Sequence, residues 1–333
     1  MIVPINARDF RRQAPRIHRH NMVEMARRHP GVTRQEIAGK LGISLSLVNT
    51  YAASLFEAGW LQVREKRGRK SAGRKSEALS VRGDKTLLLC VWVHALGMSA
   101  TRFDFAGTEQ GRMDRAWTFP SNQAEFLSML TSSLTALAEW AAKPRRACQI
   151  ALCLDGSVVS DYSMVFEVHG IPQWAPLSLD NILKRIFKHP PSVVSRTTVL
   201  LNQYCIGHSR PDFMLLKLEG AVGMGVVRAN ETFRGSIGSA GPLSHLSLDP
   251  KGPRCLCGSH GCLEAISDPG QRWEHVRPFW TKLAREYKAK HTVVVAGLPD
   301  RKQGPLEFWR PDNQEIMQGI FHYAAQKAIE SGV

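Results

Sequence analysis

His245, Cys255, Cys257 and Cys262 fall within eighteen residues of one another. Three thiolates and one imidazole satisfy a tetrahedral Zn²⁺. Cys255 and Cys257 can clamp the metal from a tight turn, Cys262 closes the loop, and His245 reaches in from the preceding segment. Four protein donors leave no open coordination position, so the expected zinc is structural, not catalytic. His260 is a competing ligand, ranked below His245, and buried free thiols without a metal are the plainer alternative. Cys90, Cys148, Cys153 and Cys205 are scattered through apolar segments. An odd cysteine count with one tight cluster suits a reducing cytosol better than a disulfide framework.

A second group of residues is suited to nucleic acid. Thr33-Arg-Gln-Glu36 has the spacing of a capping box, in which side chain and backbone satisfy each other's orphan groups. Ile37, Ala38 and Leu41 follow at helical spacing, and Gly42 suits a left-handed C′ position. Ser44 is a good N-cap for a further helix running to about Glu57, with Ile43 and Val48 spaced as a hydrophobic staple. Two short helices joined across Gly42-Ile43 are the helix-turn-helix pattern, whose second helix enters the major groove. Its candidate contacts are Ser44, Leu45, Ser46, Leu47, Asn49 and Thr50. Asn49 can pair with adenine, and the leucines can touch a thymine methyl.

Seven of the twelve residues from Arg64 to Lys75 are basic: Arg64, Lys66, Arg67, Arg69, Lys70, Arg74 and Lys75. Gly68 and Gly73 break the run, and Ala78–Val81 returns as an apolar strand. Strand, basic tip and strand predict a wing whose arginines meet phosphates or a narrow minor groove. A solvated basic loop on a three-helix bundle that touches no DNA is the bland alternative.

The elements that must position these groups divide the chain unevenly by charge. The net charge is +15, and residues 1–85 supply 18 Lys+Arg against 7 Asp+Glu, or +11. One end is therefore built to meet a polyanion. The longest apolar run, Leu87 to Met98, is too short to span a bilayer. The Arg-rich start lacks the apolar core of a signal peptide, so a cytoplasmic location is expected. A first helix is expected over 17–29, with a division into residues 1–82 and 83–333. Beyond it, strands are expected at 86–96, 148–154, 196–202, 212–218 and 291–296, and helices at 123–143, 178–187 and 313–330.

The run Gly241-Pro-Leu-Ser-His245 through Asp249-Pro250-Lys-Gly252 to Cys255-Leu-Cys257-Gly-Ser-His-Gly261-Cys262-Leu-Glu264 resembles the signature of the ROK family (repressors, open reading frames and sugar kinases). Gly220–Gly225 is similar to that family's glycine-rich turn and Thr232–Gly235 to the hairpin after it. The winged helix-turn-helix is placed as in the family's regulators, which include xylose and N-acetylglucosamine repressors. The resemblance implies an α/β architecture, with an actin-like, two-lobed, sugar-kinase-like domain behind the DNA-binding one. It implies dimerisation, as a homodimer or a dimer of dimers on a palindromic double-stranded operator, and a sugar or sugar-phosphate effector, with no membrane partner.

Departures from the family pattern argue against an enzyme. The family's Asn-Asp pair, which supplies the general base, is matched to Asn202-Gln203, and a glutamine amide takes no proton near neutrality. The first phosphate turn becomes Val91–Gly97, without a carboxylate. Pro242 stands where a sugar-binding Glu is expected, while Asn202, His245 and Glu264 stay at positions that resemble sugar contacts. Glu264 can equally be a capping or salt-bridged residue. The segment after Cys262 is shorter than is usual in the family. The function expected is sequence-specific transcriptional regulation, with repression of carbohydrate-related genes the family's commoner mode. An atypical sugar kinase and a non-specific nucleic-acid scaffold are the alternatives.

Overall fold

The computed structural model describes residues 7–64, 77–141, 148–159, 163–207, 212–228, 231–233, 243–266, 268–286, 292–295, 301–303 and 306–331. Helix α1 (Ala7–Arg28) begins ten residues before the expected start. Pro15, which sequence rules favour at a helix start, lies inside it. Met22, Val23 and Ala26 form its buried face. A two-residue strand β1 (Val32–Thr33) leads into α2 (Arg34–Leu41). Thr33 Oγ1 accepts from the Glu36 N–H at 3.2 Å, and Glu36 Oε2 accepts from the Thr33 N–H at 2.7 Å, completing the capping box. Gly42 ends the helix at φ 64°, a left-handed conformation that glycine adopts without steric cost. Ser44 then caps α3 (Leu45–Glu57), which buries Val48, Ala52 and Leu55. Strands β2 (Leu61–Arg64) and β3 (Ala78–Val81) pair antiparallel, with β1 on the other side of β3.

The next unit is a five-stranded sheet. An antiparallel meander of β4 (Leu87–His94), β5 (Gly97–Asp104) and β6 (Glu109–Ala116) is followed by α4 (Gln123–Ala141), which buries Phe126, Leu130, Leu134 and Leu137. Strand β7 (Cys148–Leu154) runs parallel to β4. Strands β8 (Gly156–Val159), β9 (Met164–Val168) and β10 (Leu177–Ser178) form a small antiparallel sheet, and α5 (Asp180–Ile186) follows. Strand β11 (Ser192–Ser195) completes the large sheet in the order β11-β7-β4-β5-β6. The run 196–202, expected as a strand, is the first half of helix α6 (Arg196–Gly207). A short apolar run has no period to tell strand from buried helix, and the strand here is the four residues before it.

A six-stranded sheet follows. Its members are β12 (Phe213–Lys217), β13 (Gly223–Arg228), β14 (Glu231–Phe233), then, after a 3-10 turn at Leu263–Ala265 and helix α7 (Pro269–Glu286), β15 (Thr292–Val295), β16 (Arg301–Gln303) and β17 (Leu306–Phe308). The order is β14-β13-β12-β15-β17-β16. Helix α8 (Asn313–Ser331) packs against β4, β7 and α6. One apolar core runs from α1–α3 to α8. Trp60 meets Phe105 edge-on at 4.9 Å between ring centroids, and Phe103 meets Phe321 at 5.2 Å. No helix among the described residues is long and apolar enough to cross a membrane.

Candidate functional site

The cysteine loop is shaped by its backbone before its side chains. Asp249 O accepts from Gly252 N at 2.8 Å, and Cys255 N donates to Ser259 O at 2.8 Å. Gly261, at φ 68°, passes so close to Asp249 that a Cβ would lie 1.6 Å from its carbonyl oxygen, so only glycine fits. This folding gathers Cys255, Cys257, Cys262 and His245, whose donor atoms all lie within 4.8 Å of one another. Cys255 Sγ is 3.5 Å from His245 Nδ1, and Cys257 Sγ is 3.8 Å from Cys262 Sγ. A tetrahedral zinc with ~2.3 Å bonds to sulfur and ~2.0 Å to nitrogen separates its donors by roughly 3.5–3.8 Å. The set therefore fits zinc in chemistry and in spacing. Burial and the neighbouring thiols push the Cys262 thiol up to about 12, a repulsion that a dication reverses. His260 pairs with Arg254 in a β-bridge and is not one of the four.

His245 also faces the interior. Its Nε2 lies 2.9 Å from Glu167 Oε2 on β9. Burial, then the nearby Glu264 charge, raises the Glu167 pKa, with His245 opposing. Behind this pair is a buried charged cluster at the strand ends. Lys217 Nζ donates to Asp155 Oδ1 at 3.2 Å, to Glu219 O at 2.6 Å and to Ala221 O. Arg196 donates to Asp155 Oδ2 at 3.3 Å and to Glu219 Oε2 at 3.1 Å. Burial alone would raise the Asp155 pKa, but Lys217, Arg196 and His169 outweigh it and hold the carboxyl ionised below its ordinary value. Glu264, in the 3-10 turn, bonds His169 Nδ1 through Oε1 and accepts from Val222 N at 3.3 Å through Oε2. Those bonds and the Arg272 charge overcome its burial and lower its pKa. Arg272 ties the turn to β12 by donating to Leu218 O at 2.6 Å and Gly220 O at 3.0 Å. The cleft beside the cluster, lined by Gly156, Ser157, Ser195, Thr197, Gly223 and Ser244, has a volume of about 20 Å³. Small-molecule pockets typically hold ~300–1,000 Å³.

Residues 95–296, more than half of the chain, match the ROK family. The chain belongs to the ROK family. It is 21% identical over 241 residues to the xylose repressor of Bacillus spizizenii, covering 70% of this chain and 61% of that protein. It is 27% identical over 149 residues to the glucokinase of Thermotoga maritima, covering 44% of this chain and 46% of that protein. The chain thus spans less than two thirds of the length of these curated relatives. Among solved structures, a ROK family transcriptional regulator described as a homologue of the E. coli MLC protein superposes with a TM-score of 0.69 at 15% identity. That match covers 96% of this chain and 98% of the other. A ROK glucokinase from Streptomyces griseus superposes with a TM-score of 0.52 at 14% identity, over 71% of this chain and 98% of that one. These likenesses give the mixed α/β, actin-like fold of the ROK sugar kinases.

Within this ROK fold, Asn202 and Gln203 sit six residues or more into α6, roughly 9 Å along the axis from its start. Gln203 packs near Gly319 of α8, and the Asn202 Nδ2 has no partner among the described residues. The position at the end of the β11 strand, where α/β folds present ligand groups, holds Ser195, Arg196 and Thr197. The turn from His94 to Gly97 joins β4 to β5. Pro242 and Gly235 lie outside the described residues, as do Lys66, Arg67, Arg69, Lys70, Arg74 and Lys75. At the other end of the chain, Ser44, Leu45, Ser46, Asn49, Thr50 and Arg64 are exposed and Leu47 is half-buried. Sequence reasoning missed Asp155, Glu167, His169, Arg196 and Lys217. A lone charge closing an apolar strand, as in Phe213-Met-Leu-Leu-Lys217, is the signal that could have found Lys217.

Proposed function

We propose that this ROK protein is a sequence-specific DNA-binding transcriptional regulator, a cytoplasmic repressor of carbohydrate-related genes. Residues 1–82 are its winged helix-turn-helix, with α2 and α3 as the helix pair and β2 and β3 as the base of a basic wing. Residues 83–333 dimerise on a palindromic operator and carry a structural Zn²⁺ on His245, Cys255, Cys257 and Cys262. When bound, that metal supplies a cross-link between the loop and the body of the domain. The observation that carries the reading is the exposed N-terminal ridge of α3, with Asn49 and Thr50 on its surface and the inward face fully packed. Its capped start fixes the helix backbone from which these side chains project. Relatives named as xylose repressors support the same assignment.

Catalysis is disfavoured on geometry. Asp155 is bound to two buried cations and is a poor proton acceptor, and Thr197 and the His94–Gly97 turn offer no carboxylate. Selection of random duplexes on the purified protein, repeated with Asn49→Ala/Thr50→Ala, tests the proposal. A palindrome enriched by the parent and not by the variant is expected. Enrichment of nothing, with binding that fades steeply in salt, would transfer the positive charge to a non-specific scaffold role. Sugar-dependent ATP turnover would restore the kinase.

A further inference from the structure

Strand β6 is the outer strand of the five-stranded sheet, and no strand among the described residues pairs with its far edge. The opposite margin of that sheet, β11, has β8 beside it. On β6, Arg112, Asp114 and Arg115 are exposed, and Met113 is half-buried against the core of its own lobe.

The ladder with β5 fixes which groups this edge offers. Trp117 N donates to Leu96 O at 2.8 Å, and the register runs without a shift from there to Gly111 opposite Arg102. Bonded and non-bonded pairs alternate along an antiparallel ladder. Gly111, Met113 and Arg115 therefore direct their N–H and C=O groups to β5, while Arg112 and Asp114 turn theirs outward. Side chains alternate too. Arg112 and Asp114 share the sheet face beside the first turns of α8, and Met113 takes the other face.

An open edge is a template for another chain, and proteins ordinarily blunt it with charge. Here the charges alternate in sign, so they repel most strands and admit a matching one. A second copy of β6 can lie antiparallel to the first about a two-fold axis. Near the middle of the strand, the registers that set outward groups against outward groups centre on Arg112, Met113 or Asp114. Centring on Arg112 sets Arg112 against Arg112, and centring on Asp114 sets Asp114 against Asp114. Like charges directly opposite destabilise a pair. Centring on Met113 sets each Arg112 against the partner's Asp114, and brings the two methionines together on the other face. Arg112 already pairs with Glu109 at 3.3 Å, but both are exposed, and such a pair contributes little against a second partner.

We propose that two copies of this chain join through the outer edges of their β6 strands, centred on Met113, into one continuous antiparallel sheet. Main-chain bonds of Arg112 and Asp114 supply the attachment, and their side chains select the partner and the register. A two-fold axis normal to the sheet leaves both α8 helices on one side, each with the α1 that it contacts. The inference rests on the dimer of the regulator reading above and adds the surface that forms it.

Sedimentation velocity over a dilution series of the full chain, without DNA, tests it. The parent is expected to associate. Arg112→Asp and Asp114→Arg each set like charges opposite one another at two symmetric places, and each is expected to raise the dissociation constant about tenfold. The exchange Arg112→Asp/Asp114→Arg restores opposite charges and is expected to return the parent's constant. Both positions are exposed, and melting curves verify that the variants fold. A parent that stays monomeric throughout overturns the proposal together with the dimer on which it rests. A parent that associates no more tightly than its single variants overturns the β6 edge alone and leaves the dimer to another surface. Single variants that weaken without recovery in the double exchange overturn the register, and with it the proposal.

Discussion

Glu167 fixes which face of the His245 ring is turned to the thiols. With Nε2 held at 2.9 Å by the carboxylate, Nδ1 is left toward Cys255. Outer carboxylates of this kind orient a metal-bound imidazole and raise its basicity, and their loss typically costs 10–100-fold in metal affinity. Glu167→Gln is therefore expected to weaken zinc by about that factor in a chelator competition, while Cys255→Ser abolishes stoichiometric zinc and lowers the melting temperature. Parent-like zinc content and melting in Cys255→Ser would dismiss the metal centre. The four donors were legible because they lie on one short loop, where spacing alone limits geometry. Glu167 was not, since it comes from another sheet, and only the tertiary fold brings it to His245.

Elements pack here through glycines whose purpose sequence does not announce. Gly319 of α8 lies where α6 crosses, and a Cβ there would sit 2.6 Å from Val199 O and 2.7 Å from Val199 Cγ1. Alanine gains about 1 kcal/mol of helix propensity over glycine, but overpacking against a rigid carbonyl costs about 1–3 kcal/mol. The clash wins, and Gly319→Ala is expected to lower the urea midpoint; an unchanged or raised midpoint would mean that the two helices yield. Gly42 is a different case, with open space around it and a left-handed φ of 64°. A β-branched residue there costs roughly 1–2 kcal/mol, and asparagine much less. Gly42→Val should thus destabilise the chain and weaken its DNA binding, with Gly42→Asn near the parent; equal effects would discount the turn. Capping signals made α2 and α3 readable from sequence, because caps are local. The helix at 196–207 was not readable, since burial by distant strands decides it.

At the scale of the whole molecule, the N-terminal unit is joined to the rest through a buried polar contact as well as apolar ones. Arg27 holds Glu24 at 2.7 Å within α1 and donates to His322 of α8. Burial, then the Arg27 charge, pushes the His322 pKa down from 6.5 to about 3. The unfolded chain takes up this proton near pH 6.5 and the folded chain only near pH 3, so between those values the unfolded state holds the extra proton. Stability then rises with pH across the window and is lost as pH falls below about 6.5, by up to about 1.4 kcal/mol per unit. His20 and His94, also lowered chiefly by burial, act with the same sign. Glu24 is held below its ordinary value by Arg27 and Arg28 against its burial, so its contribution is lost only at still lower pH. Calorimetric melting from about pH 7.5 to about pH 5.5 should show a falling transition temperature in the parent. His322→Gln keeps an acceptor for Arg27 and removes the proton site, so it should flatten most of that fall. An identical slope in the two proteins would place the acid sensitivity elsewhere and leave the α1–α8 contact without a titrating member.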